Sequence, residues 1–187
     1  GYENFVDQQI DARDFIAVIG NEGIPRARYD LAYESTFKQM QAAFKEKPPE
    51  NFDETLRSMV LGEMMTFSAA GQFARSLQLK VTPQRLATQI MRLPHLTGPG
   101  GAGRAGGFDY DYYHKVFRPS YVQRTGENFE KALERELLRE ELTQLAHDSF
   151  GPWHRALPSS QNPEDLLAAW IRHYQQSLKV ESYLSRS

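Results

Sequence analysis

Five histidines, at positions 95, 114, 147, 154 and 173, are the first places to look for chemistry. No two of them stand at the spacing of paired helical metal ligands, and no HExxH-like element exists. Each therefore reads as a scattered surface imidazole. His147 and His154 flank Gly151-Pro152 and come nearest to a pair, but they lack an evident third ligand. The chain has no cysteine, which removes thiol catalysis, disulfides and cysteine-based zinc sites together. Ser58, Ser68, Ser76 and Ser120 lack the Gly-x-Ser-x-Gly context of a nucleophile elbow. Asp109 and Asp111 fall at a helix start, where their charge offsets the positive end of the helix dipole.

Glycine invites one more chemical reading. Thr97 to Gly107 (TGPGGAGRAGG) carries six glycines around Arg104. A phosphate-binding loop needs a lysine followed by Ser or Thr opening a helix, and a dinucleotide fold needs a strand before the loop. Here a proline-terminated helix precedes the glycines and Phe-Asp-Tyr follows them, so the segment reads as a flexible surface connector. No catalytic constellation emerges; no enzyme activity, cofactor or metal is expected.

The remaining candidates are apolar. The chain holds nine tyrosines, eleven phenylalanines, two tryptophans and five methionines. Phe108, Tyr110, Tyr112 and Tyr113 crowd into six residues, more rings than one helix face can bury. Met64 and Met65 are adjacent and must point in different directions. Flexible, polarizable methionine beside aromatic rings suits a promiscuous apolar-binding surface. Met64, Met65, Tyr110, Tyr112, Tyr113 and Phe117 are accordingly the expected binding residues. The balance of 22 basic against 24 acidic side chains argues against nucleic acid, which needs a basic surplus.

Elements to position these residues follow from periodicity. Residues 1–14 read as an N-terminal arm, and residues 15–187 as one helical domain. Phe15–Ile19 reads as a strand ending in the turn Gly20 to Gly23, after which Pro25 at a first helical position opens a helix over Arg26 to Lys45. A long helix from Asn51–Asp53 to Leu79 carries the stripe Leu56, Met59, Val60, Met64, Phe67, Ala70, Ala74 and Leu77. Thr82-Pro83 caps a third helix that Pro94 stops. A short helix after Phe108 is expected to end at Pro119. Thr125 is expected to cap a charged helix that Gly151-Pro152 closes. Asn162-Pro163-Glu164-Asp165 opens the last helix, and Val180 to Leu184 alternates like a strand whose partner is Phe15–Ile19. The expected fold is mainly α: about six helices and one short two-stranded β pairing between the N- and C-terminal segments.

In this order, the motifs resemble the SurA/PpiD-type N-terminal chaperone domain. FIAVIGNEGIPRARY (Phe15 to Tyr29) is similar to that family's entry strand, turn and first helix, with Asn21-Glu22-Gly23 stretching the turn and Pro25 where Thr or Ser is common. Ala74 to Leu79, Val81-Thr82 and Ile90 to Pro94 fill its central helix end, cap and Ile-x-x-x-Pro positions. Phe108-Asp109, Tyr112-Tyr113 and FEKALERELL (Phe129 to Leu138) follow in the same order.

The resemblance implies an ATP-independent periplasmic chaperone module that binds unfolded or outer-membrane-bound polypeptides through an apolar groove. It implies no catalytic residue, because the parvulin isomerase domain found with this module elsewhere in the family has no counterpart in these residues. Partners implied are unfolded or nascent secreted chains. Opening at Gly1-Tyr2-Glu3, the chain reads as a trimmed or processed form, and an inner-membrane anchor preceding Gly1 is an expectation from the anchored family members. A scaffold dimerising by segment exchange, or a fragment of a larger prolyl isomerase, are the alternatives.

Overall fold

The computed structural model describes residues 14–96 and 107–184. The N-terminal arm up to residue 13, and the glycine-rich connector apart from Gly107, lie outside the described residues.

Six helices and a small sheet make up the described part, a mainly α architecture. Strand β1 (Phe15–Ile19) is the centre of a three-stranded antiparallel sheet, flanked by β2 (Glu22–Pro25) and β3 (Val180–Ser182). The N-to-C pairing aligns Ala17 with Ser182, Val18 with Glu181 and Ile19 with Val180. The third strand is formed by residues that the sequence assigns to a turn. Gly20 and Asn21 alone make the reversal, and Glu22 and Gly23 pair with Ile19 and Val18. Gly20 has φ +58°, and a Cβ there would lie 2.2 Å from Gln72 Oε1. Left-handed backbone and contact with the neighbouring helix both require glycine at that corner. Pro25 ends β2 with extended backbone, so the helix starts one residue later than a first-turn proline would place it.

Helix α1 (Arg26–Ala43) leads to α2 (Phe52–Ser76), whose buried side runs from Leu56 to Ala74. Helix α3 (Pro83–Met91) is capped by Thr82, whose Oγ1 accepts the Arg85 N–H at 3.1 Å. Helix α4 begins at Tyr110–Tyr112, passes through a π-helical turn at Tyr113–Phe117 and resumes as Arg118–Thr125. Helix α5 (Phe129–Ala156) and α6 (Pro163–Gln176) complete the set.

Three expected boundaries move, each for a visible reason. Pro119 does not end α4. The Arg118 N–H reaches back to the Tyr113 carbonyl, and this wider turn carries the ladder past a residue that has no N–H to donate. Thr125 closes α4 instead of opening α5. Its hydroxyl donates to the Tyr121 carbonyl at 2.7 Å, while Gly126 (φ 71°) reverses the chain and Asn128 Oδ1 caps α5 by accepting from Glu130 and Lys131 N–H. Helix α5 also runs through Pro152. The residue before a proline is normally kept out of helix by its own Cβ, and Gly151 has none.

The main core joins both ends of the chain. Ile16, Ala17, Ile19 and Ile24 of the hairpin meet Tyr29, Leu56, Val60, Ala69, Ala70 and Ala74, with Leu138, Leu142, Leu167 and Ile171 from the last two helices. Alanine at 69, 70 and 74 lets the sheet and α5 approach α2 closely. A second cluster, Ile90, Leu96 and Tyr113, gathers Leu86, Leu93, Phe108, Phe117, Phe129 and Leu133 between α3, α4 and the start of α5.

Candidate functional site

Rings that a helix cannot turn fully inward end up at its flank, and α6 shows this. Leu167 and Ile171 enter the main core, while Trp170, His173, Tyr174 and Ser177 form the next stripe round the helix. With Phe73 and Leu77 at the C-terminal end of α2 they line a groove of about 400 Å³. Phe73 meets Trp170 edge-on at 6.2 Å and Tyr174 at 5.2 Å between ring centroids, and Phe150 of α5 supports Trp170 from behind at 4.8 Å. Leu77 and Trp170 keep 40% and 41% of their surface exposed, which leaves the groove open to a visitor.

The end of α2 fixes the rim of this groove. The Leu79 N–H bonds the Ala74 carbonyl and the Gln78 N–H bonds that of Arg75, both near 3 Å, a double bond pattern that stops the helix sharply. It needs a left-handed residue between them, and Gln78 supplies it at φ 65° where glycine would be at ease.

Chemically, the groove is a π-rich wall with a few polar tips. A visiting aromatic side chain burying roughly 150–250 Å² gains about 4–6 kcal/mol at about 25 cal/mol per Å². Ordering and lost rigid-body freedom cost an amount of similar size, on the order of 4 kcal/mol or more. Single contacts here are therefore weak and readily exchanged.

The six sequence-predicted binding residues do not share one groove. Met64 and Met65 are half-buried on α2 and pack against the main core. Tyr113 is 3% exposed at the centre of the second cluster, where it stacks on Phe117 at 5.8 Å and donates to Glu130 Oε1 at 2.9 Å. Phe117 is half-buried against Phe129, 4.8 Å away and edge-on. Tyr110 and Tyr112 remain exposed, lining a shallow depression with Gly107 and Phe108. Of the histidines, His173 lines the α2–α6 groove, His147 lies 3.5 Å from Glu164, and His154 lies 3.3 Å from the Ser160 hydroxyl. Among the described residues no three His, Asp or Glu side chains gather in a way that could hold a metal ion.

Sequence reasoning places Trp170 and Tyr174 in the apolar stripe of the last helix and outside the expected binding set. A signal was available: Leu166, Leu167, Trp170, Ile171, Tyr174 and Leu178 spread over about 140° of helix circumference, where about 100° suffices for burial. The surplus is the groove.

A buried ionic cluster holds the hairpin, α1 and α5 together on another face. Glu127 accepts from Arg28 at 2.9 Å and from Arg135, and Arg135 lies 2.9 Å from Glu22. Burial alone would push Glu127 up, but the Arg28 and Arg135 charges outweigh it and hold the carboxyl below its ordinary range. Tyr121 beside it is pushed up, chiefly by burial and then by the Glu127 charge.

Residues 1–143 match the family described as SurA-like N-terminal domain. That stretch is most of the chain, and the protein belongs to this family of folding-factor modules, which is distinct from the catalytic parvulin domain and typically periplasmic. No curated protein and no solved structure matches the chain. Trp170 and Tyr174 lie beyond the matched stretch, so the groove joins a family helix to a C-terminal one. Among the described residues no helix is long and apolar enough to cross a membrane.

Proposed function

We propose that this protein is an ATP-independent chaperone module of the periplasm. It binds unfolded or nascent secreted polypeptides reversibly, through the apolar groove between α2 and α6. The observation that carries this reading is the pair of exposed side chains, Leu77 and Trp170, set over a floor of aromatic rings. Family membership supports a role in folding, and the weak burial energy of single side chains supports rapid capture and release. Tyr110 and Tyr112 offer a second contact face.

Aggregation of a chemically denatured test protein, followed by light scattering without ATP, tests the reading. Dose-dependent suppression that weakens in the Leu77→Ala/Trp170→Ala variant is expected. No suppression at large molar excess would move the assignment to a scaffold with one dedicated partner.

A further inference from the structure

On the opposite flank of α6 lies a second and larger groove of about 860 Å³, bounded by α2, α5 and α6. Its apolar surface comes from Met59, Phe67, Ala70, Ala168 and Ile171, and Met59 is 41% exposed. Two arginines edge it. Arg139 of α5 lays its guanidinium over the Phe67 ring, 4.7 Å from the centroid, and Arg172 projects from α6. Two arginines that line another groove have carboxylate partners: Arg75 has Glu134 and Arg135 has Glu127. Among the described residues neither Arg139 nor Arg172 has one. Glu63 is the one acid lining the groove, leaving it with a net positive edge.

A guanidinium lying over a ring contacts it through its face, and N–H donors at its edge can still take a carboxylate. We infer that this groove selects polypeptide segments in which an Asp or Glu side chain is flanked by apolar residues, the apolar groups lying against Met59 and Phe67 and the carboxylate meeting Arg139 and Arg172. The occupant is an internal stretch of an unfolded chain, which presents such segments all along its length. This rests on the chaperone reading and adds a charge preference to it.

The test is fluorescence anisotropy with three labelled peptides of one leucine- and phenylalanine-rich sequence, carrying two Asp, two Asn or two Lys. At low salt the Asp peptide should bind roughly fivefold more tightly than the Asn peptide, the size expected of two exposed charge contacts. The preference should shrink as salt is added. It should vanish in Arg139→Gln/Arg172→Gln and persist in the control Lys38→Gln/Arg92→Gln, which makes the same net-charge change elsewhere. Glu63→Gln should increase it. Equal binding of the Asp and Asn peptides, or a preference that survives in Arg139→Gln/Arg172→Gln, overturns the inference while leaving the chaperone reading intact. Binding of anionic phospholipid vesicles with no peptide preference would also overturn it, in favour of a lipid surface. Failure of all three peptides to bind would remove the chaperone reading itself.

Discussion

Two aromatic assemblies in this molecule have similar composition and opposite fates. Around α4, Phe108, Tyr113, Phe117, Tyr121 and Phe129 pack mainly against one another, and Tyr113 is almost fully enclosed. Between α2 and α6, Phe73, Trp170 and Tyr174 make ring contacts just as short, yet Trp170 stays open to solvent. The difference lies in what closes the far side. The α4 rings are covered by α3 and the start of α5, whereas the groove rings are backed by Phe150 and the main core and keep their outer side open. Ring density thus marks a region rich in burial energy, and only the packing of neighbouring helices decides whether that energy serves the fold or a ligand.

The largest contrast should come from truncating one ring in each assembly. Tyr113→Ala removes a buried ring and its bond to Glu130, and should cost about 3–5 kcal/mol in urea denaturation. Trp170→Ala should cost less, about 2–3 kcal/mol, because 41% of its surface is already in water. Its main effect should instead be weaker binding of denatured protein. Comparable stability losses in the two variants would erase the distinction between a closed and an open assembly.

The closed region has a second support in the Glu127 cluster, and Glu127→Gln should destabilise by about 3 kcal/mol by leaving Arg28 without its carboxylate and Arg135 with Glu22 alone. The pH sign follows from the depressed carboxyl. A group whose pKa falls on folding adds stability that is complete above its unfolded value and disappears as pH drops through its folded value. The protein should therefore hold its stability at neutral pH and lose this share only in acid, below the ordinary carboxylate range. Glu127→Gln should flatten that acid limb in denaturation curves taken across pH. An unchanged pH profile would mean that the cluster contributes no linkage.

The smallest effect concerns the rim of the open groove. Gln78→Gly relieves a left-handed residue and should stabilise by about 0.5–1 kcal/mol, read as a rise in the thermal midpoint. Client binding should be unchanged, since the side chain of Gln78 does not line the groove.

Much of the scaffold was legible in residue order. Strand β1 and the caps at Thr82 and Asn162 follow from short-range chemistry that neighbouring residues enforce, and the pairing of β1 with the C-terminal strand was legible because the two β-like runs stand at opposite ends of the sequence. The misplaced boundaries share a cause. Pro119, Gly151-Pro152 and Thr125 are local stop or start signals, and a π turn, a missing Cβ and a better cap at Asn128 override them. The β1–β2 hairpin was hidden because Glu22 and Gly23 look like turn residues, while Arg135 and the Phe15 ring give them partners from far along the chain or across the strand. Which rings stay exposed was the least legible. The cluster around Tyr112 and Tyr113 announced an excess of rings correctly, but exposure depends on helices that sequence spacing does not orient. In α6 the width of the apolar stripe carried the information that ring density did not.

The central claim is that the open groove beside Trp170 receives unfolded chains, and Trp170 itself can report it. Trp153, the only other tryptophan, can be replaced by Phe, leaving one indole on the groove. Emission of the Trp153→Phe protein should be followed during titration with an unfolded polypeptide that contains no tryptophan. A saturable blue shift, abolished by Leu77→Ala/Tyr174→Ala, is the predicted result. An unshifted spectrum at concentrations where aggregation is suppressed would contradict it and place client binding elsewhere on the molecule.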